Sequence, residues 1–106
     1  MPDFDINGIL GMARQVQENL AKVQEQLAQK TVEAAAGGGL VTAVASGARE
    51  IVRVTIDPQA VAMNDLPMLQ DLVVAACNAA LRKAAELARE EMAKVTGGLP
   101  IPPGLF

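Results

Sequence analysis

Histidine is absent from this 106-residue chain, cysteine occurs once, and there is neither tryptophan nor tyrosine. With no His and with Cys77 alone, a single chain cannot assemble a Cys/His zinc site, a Cys-His nucleophile pair or a Ser-His-Asp triad. An intramolecular disulfide is excluded too, which fits a reducing compartment. Aromatics make up 2% of residues, and alanine fills much of the 51% hydrophobic share. Small side chains bury little area each, at roughly 25 cal/mol per Å². A domain this short and this rich in alanine has a thin core of its own, which makes a partner chain plausible from the outset.

Long apolar runs are missing as well. The longest, residues 72–77 continued beyond Asn78 by residues 79–81, is too short to span a bilayer and meets Arg82 and Lys83 at once. The opening MPDFDING has no basic segment ahead of an apolar one, so no secretory signal is expected. The reading is a soluble, cytoplasmic protein of one domain, residues 1–106, with no membrane partner. A net charge of −3 and a pI near 4.8 argue against simple coating of nucleic acid by overall attraction.

What is present is clear periodicity. Ile9, Ala13, Val16, Leu20, Val23 and Leu27 recur at steps of four and three, opposite Arg14, Glu18, Lys22 and Glu25. This spacing predicts an amphipathic helix over residues 7–29, with Asn7 placed to cap it. A β-permissive segment, residues 31–36, leads into Gly37, Gly38 and Gly39. These match neither GxGxxG nor GxxxxGK[ST] and are read as a turn. Residues 40–45 and 50–56 read as strands joined by a tight turn around Ser46 and Gly47. Pairing them puts Val41, Ala43 and Ala45 on one apolar face with Val52, Val54 and Ile56. The other face, with Leu40, Thr42, Val44, Ile51, Arg53 and Thr55, is mixed.

Asp57 and Pro58 end the strand, and residues 59–66 read as a connector in which Asn64 and Asp65 are placed to cap a second helix over residues 68–95. That helix changes character along its length. Its first half is apolar nearly all round, whereas from Arg82 onward a stripe of Leu81, Ala84, Ala88, Met92 and Val95 opposes a charged one. Some 28 helical residues span roughly 42 Å, against about 23 Å for a seven-residue strand. The helices therefore overhang the sheet and need something to pack on, and homodimerisation is the leading expectation. Leu69, Leu72, Val73, Ala76, Asn78 and Ala80 are the candidate dimer contacts. Residues 97–106, rich in Pro and Gly, read as a flexible tail whose Leu99, Ile101, Leu105 and Phe106 suit an apolar groove.

No group of residues suggests catalysis, a metal or a cofactor. Glu86, Glu90 and Glu91 sit among Arg and Lys and read as a solvated face. Arg82, Lys83, Arg89 and Lys94 are read as sharing a helix face, with Glu86 and Glu90 interleaved.

The stretches GGGLVTAVASG, VTIDP and DLVVAACNAALRKAAELAREEMAKVTGGLPIPPGLF together resemble the YbaB/EbfC family of bacterial nucleoid-associated proteins. The likeness runs over residues 37–106, and the first helix agrees in position and amphipathicity. The resemblance implies an α+β fold of order α-β-β-β-α, with a three-stranded antiparallel sheet between two long helices, assembled as a tweezer-shaped homodimer. It further implies binding of duplex DNA at the nucleoid with little sequence demand, contributing to nucleoid organisation or gene regulation, with no small-molecule substrate. Arg14, Lys22, Arg82, Lys83, Arg89 and Lys94 are the candidate phosphate contacts, chosen by charge. The alternative is a protein–protein interaction module with weak or no DNA binding.

Overall fold

The computed structural model describes residues 6–95. In chain order the elements are α1 (Ile6–Gln29), β1 (Thr31–Ala36), β2 (Val41–Ser46), β3 (Ile51–Ile56), a short α2 (Pro58–Ala62) and α3 (Leu66–Val95). The strands form one antiparallel sheet in the order β1-β2-β3. The chain is long and narrow, with principal extents of 76 × 22 × 17 Å.

Local chemistry sets the element ends. The β1–β2 turn is made by Gly37, Gly38 and Gly39, all at positive φ (66°, 68° and 98°), a conformation glycine adopts without steric cost. At the other end of β2, the Ser46 N–H donates to the Glu50 carbonyl at 2.8 Å and the Arg49 N–H to the Ser46 carbonyl at 2.9 Å, closing a four-residue loop with Arg49 left-handed (φ 65°). Asp57 accepts from the Gln59 N–H at 2.8 Å and Pro58 occupies the first turn, so the expected connector carries a capped helical turn, α2. Asp65 accepts from the Met68 N–H at 3.1 Å and caps α3, with Asn64 left-handed before it (φ 52°). Asn7 does not cap α1, because the helix already includes Ile6.

The core is made almost wholly of alanine. Ala76, Ala80 and Ala84 follow one another at four-residue steps along α3 and lie against Ala34, Val41, Ala43 and Ala45 of the sheet. Such small side chains bring the helix close to the strands, and α3 covers β1 and β2 while barely reaching β3. The pairing of β2 with β3 is also irregular. Val44 opposes Arg53 and Ala45 opposes Ile51, so Val52 is an extra residue in a bulge. This corrects the sequence reading of β3: Val54 and Ile56 still oppose Ala43 and Val41 on the apolar face, and the bulge instead turns Ile51, read from sequence on the mixed face, opposite Ala45. Exposure on β3 follows from the short reach of α3. Val54 is half-buried, but Val52 and Ile56 are exposed.

Beyond the sheet, α1 and the end of α3 lie side by side and antiparallel. Lys30 Nζ meets Glu91 Oε1 at 2.9 Å, and Lys94 Nζ meets the same oxygen at 3.5 Å. The Gly47 N–H donates to the Lys30 carbonyl at 2.9 Å, fastening the β2–β3 turn to the end of α1. There the approach is so close that a Cβ at Gly47 would lie 2.5 Å from the Leu27 carbonyl oxygen. Glycine at this position is a packing requirement more than a turn preference.

Candidate nucleic-acid interface

The cations fall into two groups. Lys30, Lys83 and Lys94 are engaged within the chain. Lys30 and Lys94 pair with Glu91, and Lys83 Nζ donates to the Glu33 carbonyl at 2.9 Å, capping the outer edge of β1. Glu91 is the hub of the first pair: its side chain is only 14% exposed, and the Lys30 hydrogen bond holds its carboxyl below the ordinary value of 4.5. Arg14, Lys22, Arg82 and Arg89, by contrast, are exposed and make no ion pair among the described residues.

Helix geometry divides the α3 candidates further. Arg82 and Arg89 are seven residues apart, close to two full turns, so they point the same way. Lys83 and Lys94 lie about 100° round the axis from them. Ala76, Ala80 and Ala84 face the sheet, which turns Arg82 and Arg89 outward and Lys83 toward the β1 edge. The four cations read from sequence as one face are thus two rows, because adjacent helix positions diverge by more than a quarter-turn. On α1, Val23 and Leu27 are buried against α3, and Arg14 and Lys22 occupy the opposite side. The cations of one chain therefore point outward from both helices and do not converge on a single surface.

The structure adds Arg49 and Arg53, both exposed and without an ion pair among the described residues, at the β2–β3 loop and on the sheet's mixed outer face. Sequence reasoning passed over them because each stands alone in a strand or turn. The signal available was Arg53 in the alternation of β3 on the face opposite Val54.

Of the six candidate dimer contacts, Ala76 and Ala80 are corrected: the chain's own sheet covers both completely, leaving no surface for a partner. Leu69, Leu72 and Val73 are half-buried against the same core, and Asn78 is exposed. The apolar surface left open lies elsewhere. The flank of α3 turned toward β3 carries exposed Val74, and nearby stand Val52 and Ile56 of β3, with Val61, Met63 and Leu66 around α2. Cys77 is half-buried beside the core. Among the described residues no helix is long and apolar enough to cross a membrane, and no cluster of Asp, Glu or Cys is grouped to hold a metal ion.

Comparison with known proteins places these features. A model of the YbaB/EbfC DNA-binding family matches residues 1–99. The chain is 55% identical over 103 residues to a nucleoid-associated protein of Thermoanaerobacter pseudethanolicus, covering 97% of this chain and 92% of that protein. It is 52% identical, with the same coverage, to a nucleoid-associated protein of Caldanaerobacter subterraneus. The crystal structure of an uncharacterized protein from Helicobacter pylori shares the fold at a TM-score of 0.75 and 21% identity, covering 90% of this chain and 99% of that one. The family is described as DNA-binding and the relatives as nucleoid-associated, and neither description is that of an enzyme. With most of its length matched by the family model and a three-stranded sheet between two long helices, the chain belongs to the YbaB/EbfC DNA-binding family.

Proposed function

We propose that this protein acts as a homodimer that binds duplex DNA through its phosphates, with little sequence demand, and contributes to nucleoid organisation or gene regulation. The observation that carries the reading is the set of exposed cations Arg14, Lys22, Arg82 and Arg89, which point outward from the two long helices. Each helix of one chain offers only two of them, and Glu86 and Glu90 stand between or beside those of α3. Two copies double the number of contacts on one duplex. That is how a chain of net charge −3 holds a polyanion: by local placement of charge. Contacts to phosphates position a protein without reading sequence, which accounts for the low specificity. The relatives' description as nucleoid-associated supports a location at the nucleoid, in the cytoplasm.

The homodimer has its own support. The inner face of β3 and the neighbouring flank of α3 expose Val52, Ile56 and Val74, and β3 is an open sheet edge. A second copy lying there would cover the apolar surface that α3 leaves uncovered.

The test is a salt titration of binding to random-sequence duplex DNA, for the native chain and for R82A/R89A. The logarithm of affinity should fall linearly with the logarithm of salt. In the variant the slope should be shallower by roughly 0.9 for each phosphate no longer neutralised. An unchanged slope would remove α3 from the interface. Tight binding that ignored salt would favour recognition by something other than phosphate contacts.

A further inference from the structure

The apolar stripe of α1 is covered along only part of its length. Val23 and Leu27 are buried and Leu20 is half-buried, whereas Val16, Ile9 and Ile6 are 51%, 48% and 62% exposed. All six lie on the side of the helix that faces α3 where the two run together. The Lys30–Glu91 pair sets the antiparallel register, so Val95, four residues further along α3, stands beside about residue 26 of α1. From Ile6 to Lys22 the stripe therefore stands clear of α3 over about 24 Å.

Charge and length both bear on what lies there. Leu10, Met12, Gln17 and Asn19 flank the stripe and carry no charge, while Arg14, Glu18 and Lys22 lie on the far side. Flanking charges are what select a partner helix of opposite sign, and here there are none to do so. The far side mixes both signs, unlike the basic polar face of a helix that lies on an anionic membrane. A second copy of α1 brings the same neutral flanks and meets no like-charge repulsion. A parallel pair would bring both α3 ends to the same height on the same side. An antiparallel pair avoids this, because each helix start then runs up to the point that the other chain's α3 reaches. In that register Ala13 faces the partner's Val16 and Ile9 faces the partner's Leu20, so the smallest residue of the stripe meets a larger one.

We propose that the α1 helices of two chains pair antiparallel along residues 6–22, joining one molecule to another at the arm. The contact is short, which puts it among the weaker associations. Arg14 and Lys22 remain outward on the two opposite sides of the pair, so two linked molecules present cations in two directions. On the DNA-binding reading this brings two duplexes together. The helix pairing itself depends neither on that reading nor on the contact at β3, and its test uses no DNA.

The test is disulfide trapping between single-cysteine chains in a C77A background. A mixture of A13C and V16C chains should give the mixed dimer, identified by mass, at least tenfold faster than a mixture of A13C and E18C, whose second thiol lies on the far side of α1. Equal rates in the two mixtures would overturn the proposal. Faster linking of A13C chains to one another than to V16C would overturn it in favour of a parallel pair. Hydrogen exchange on the full chain provides a check without cysteines. Over a hundredfold rise in concentration the amides of residues 9–20 should gain protection while those of residues 41–46 stay unchanged, and V16D should abolish the gain. Protection of residues 9–20 that ignored concentration would overturn the proposal, since the arm would then be bare or covered by its own chain.

Discussion

The sheet with α3 across it and the arm formed by α1 meet water on very different terms. In the first, side chains as small as alanine are packed out of solvent altogether: Ala43, Ala45, Ala76, Ala80 and Ala84 have no accessible surface. In the second, side chains as large as isoleucine, leucine and methionine stand about half or more exposed at Ile6, Ile9, Leu10 and Met12. Large apolar groups outside and small ones inside invert the usual distribution. Close approach of α3 to β1 and β2 uses up the small residues, and among the described residues the larger ones are left uncovered over β3 and along the arm. The difference separates what makes this chain fold from what its assembly is for.

The closely packed half should be the easier to break. G47A ought to have the largest effect, since its Cβ would lie 2.5 Å from the Leu27 carbonyl oxygen and must push apart the β2–β3 loop and the end of α1. A loss of roughly 2–3 kcal/mol is expected in denaturant unfolding. A80L inserts a large side chain between α3 and the sheet and should cost about 1–3 kcal/mol. An Ala80 variant that kept native stability would mean that α3 is not held against the strands as described.

The open half should respond in association and barely in folding. V52D places a charge on the exposed bulge of β3, where it costs the isolated chain little but is buried without a partner in the proposed dimer. Sedimentation should show dimerisation weakened tenfold or more with circular dichroism unchanged, and an unaltered dimer would move the subunit contact away from β3. The smallest effect belongs to the junction of the two regions. The Lys30 hydrogen bond lowers the Glu91 pKa in the folded chain, so the pair's contribution is complete above the ordinary value of 4.5 and is lost as pH falls through the lowered one. E91Q should therefore lower stability slightly at neutral pH, leave it unchanged at pH below the lowered value, and so flatten the acid side of the profile. A steeper acid limb in E91Q would reverse the assignment.

Much of the architecture could be read from periodicity, because the α1 stripe, the alternation of β2 and the glycines between β1 and β2 are all local patterns with one dominant solution. The α3 register was less accessible. Residues 72–81 are apolar on nearly every side, and only the packing of Ala76, Ala80 and Ala84 on the strands selects the inward face. The β3 bulge left no trace in composition, since Ile51 and Val52 are both β-formers and either alternation fits. Likewise, Gly47 reads as a turn residue, and its close contact with Leu27 joins positions 20 residues apart. The division of the cations followed the same rule. Lys83 and Lys30 look like their neighbours until a carbonyl or a carboxylate from a distant element reaches them.

The most direct measurement is the stoichiometry and salt response of the complex with random-sequence duplex DNA, followed by analytical sedimentation from ~50 mM salt upward, where phosphate contacts are strong at first and then weaken. The expected result is a complex containing two chains per binding unit that forms at low salt and dissolves progressively as salt rises. No complex at ~50 mM salt, or one that holds a single chain, would contradict a dimer that grips DNA through the outward cations of its helices.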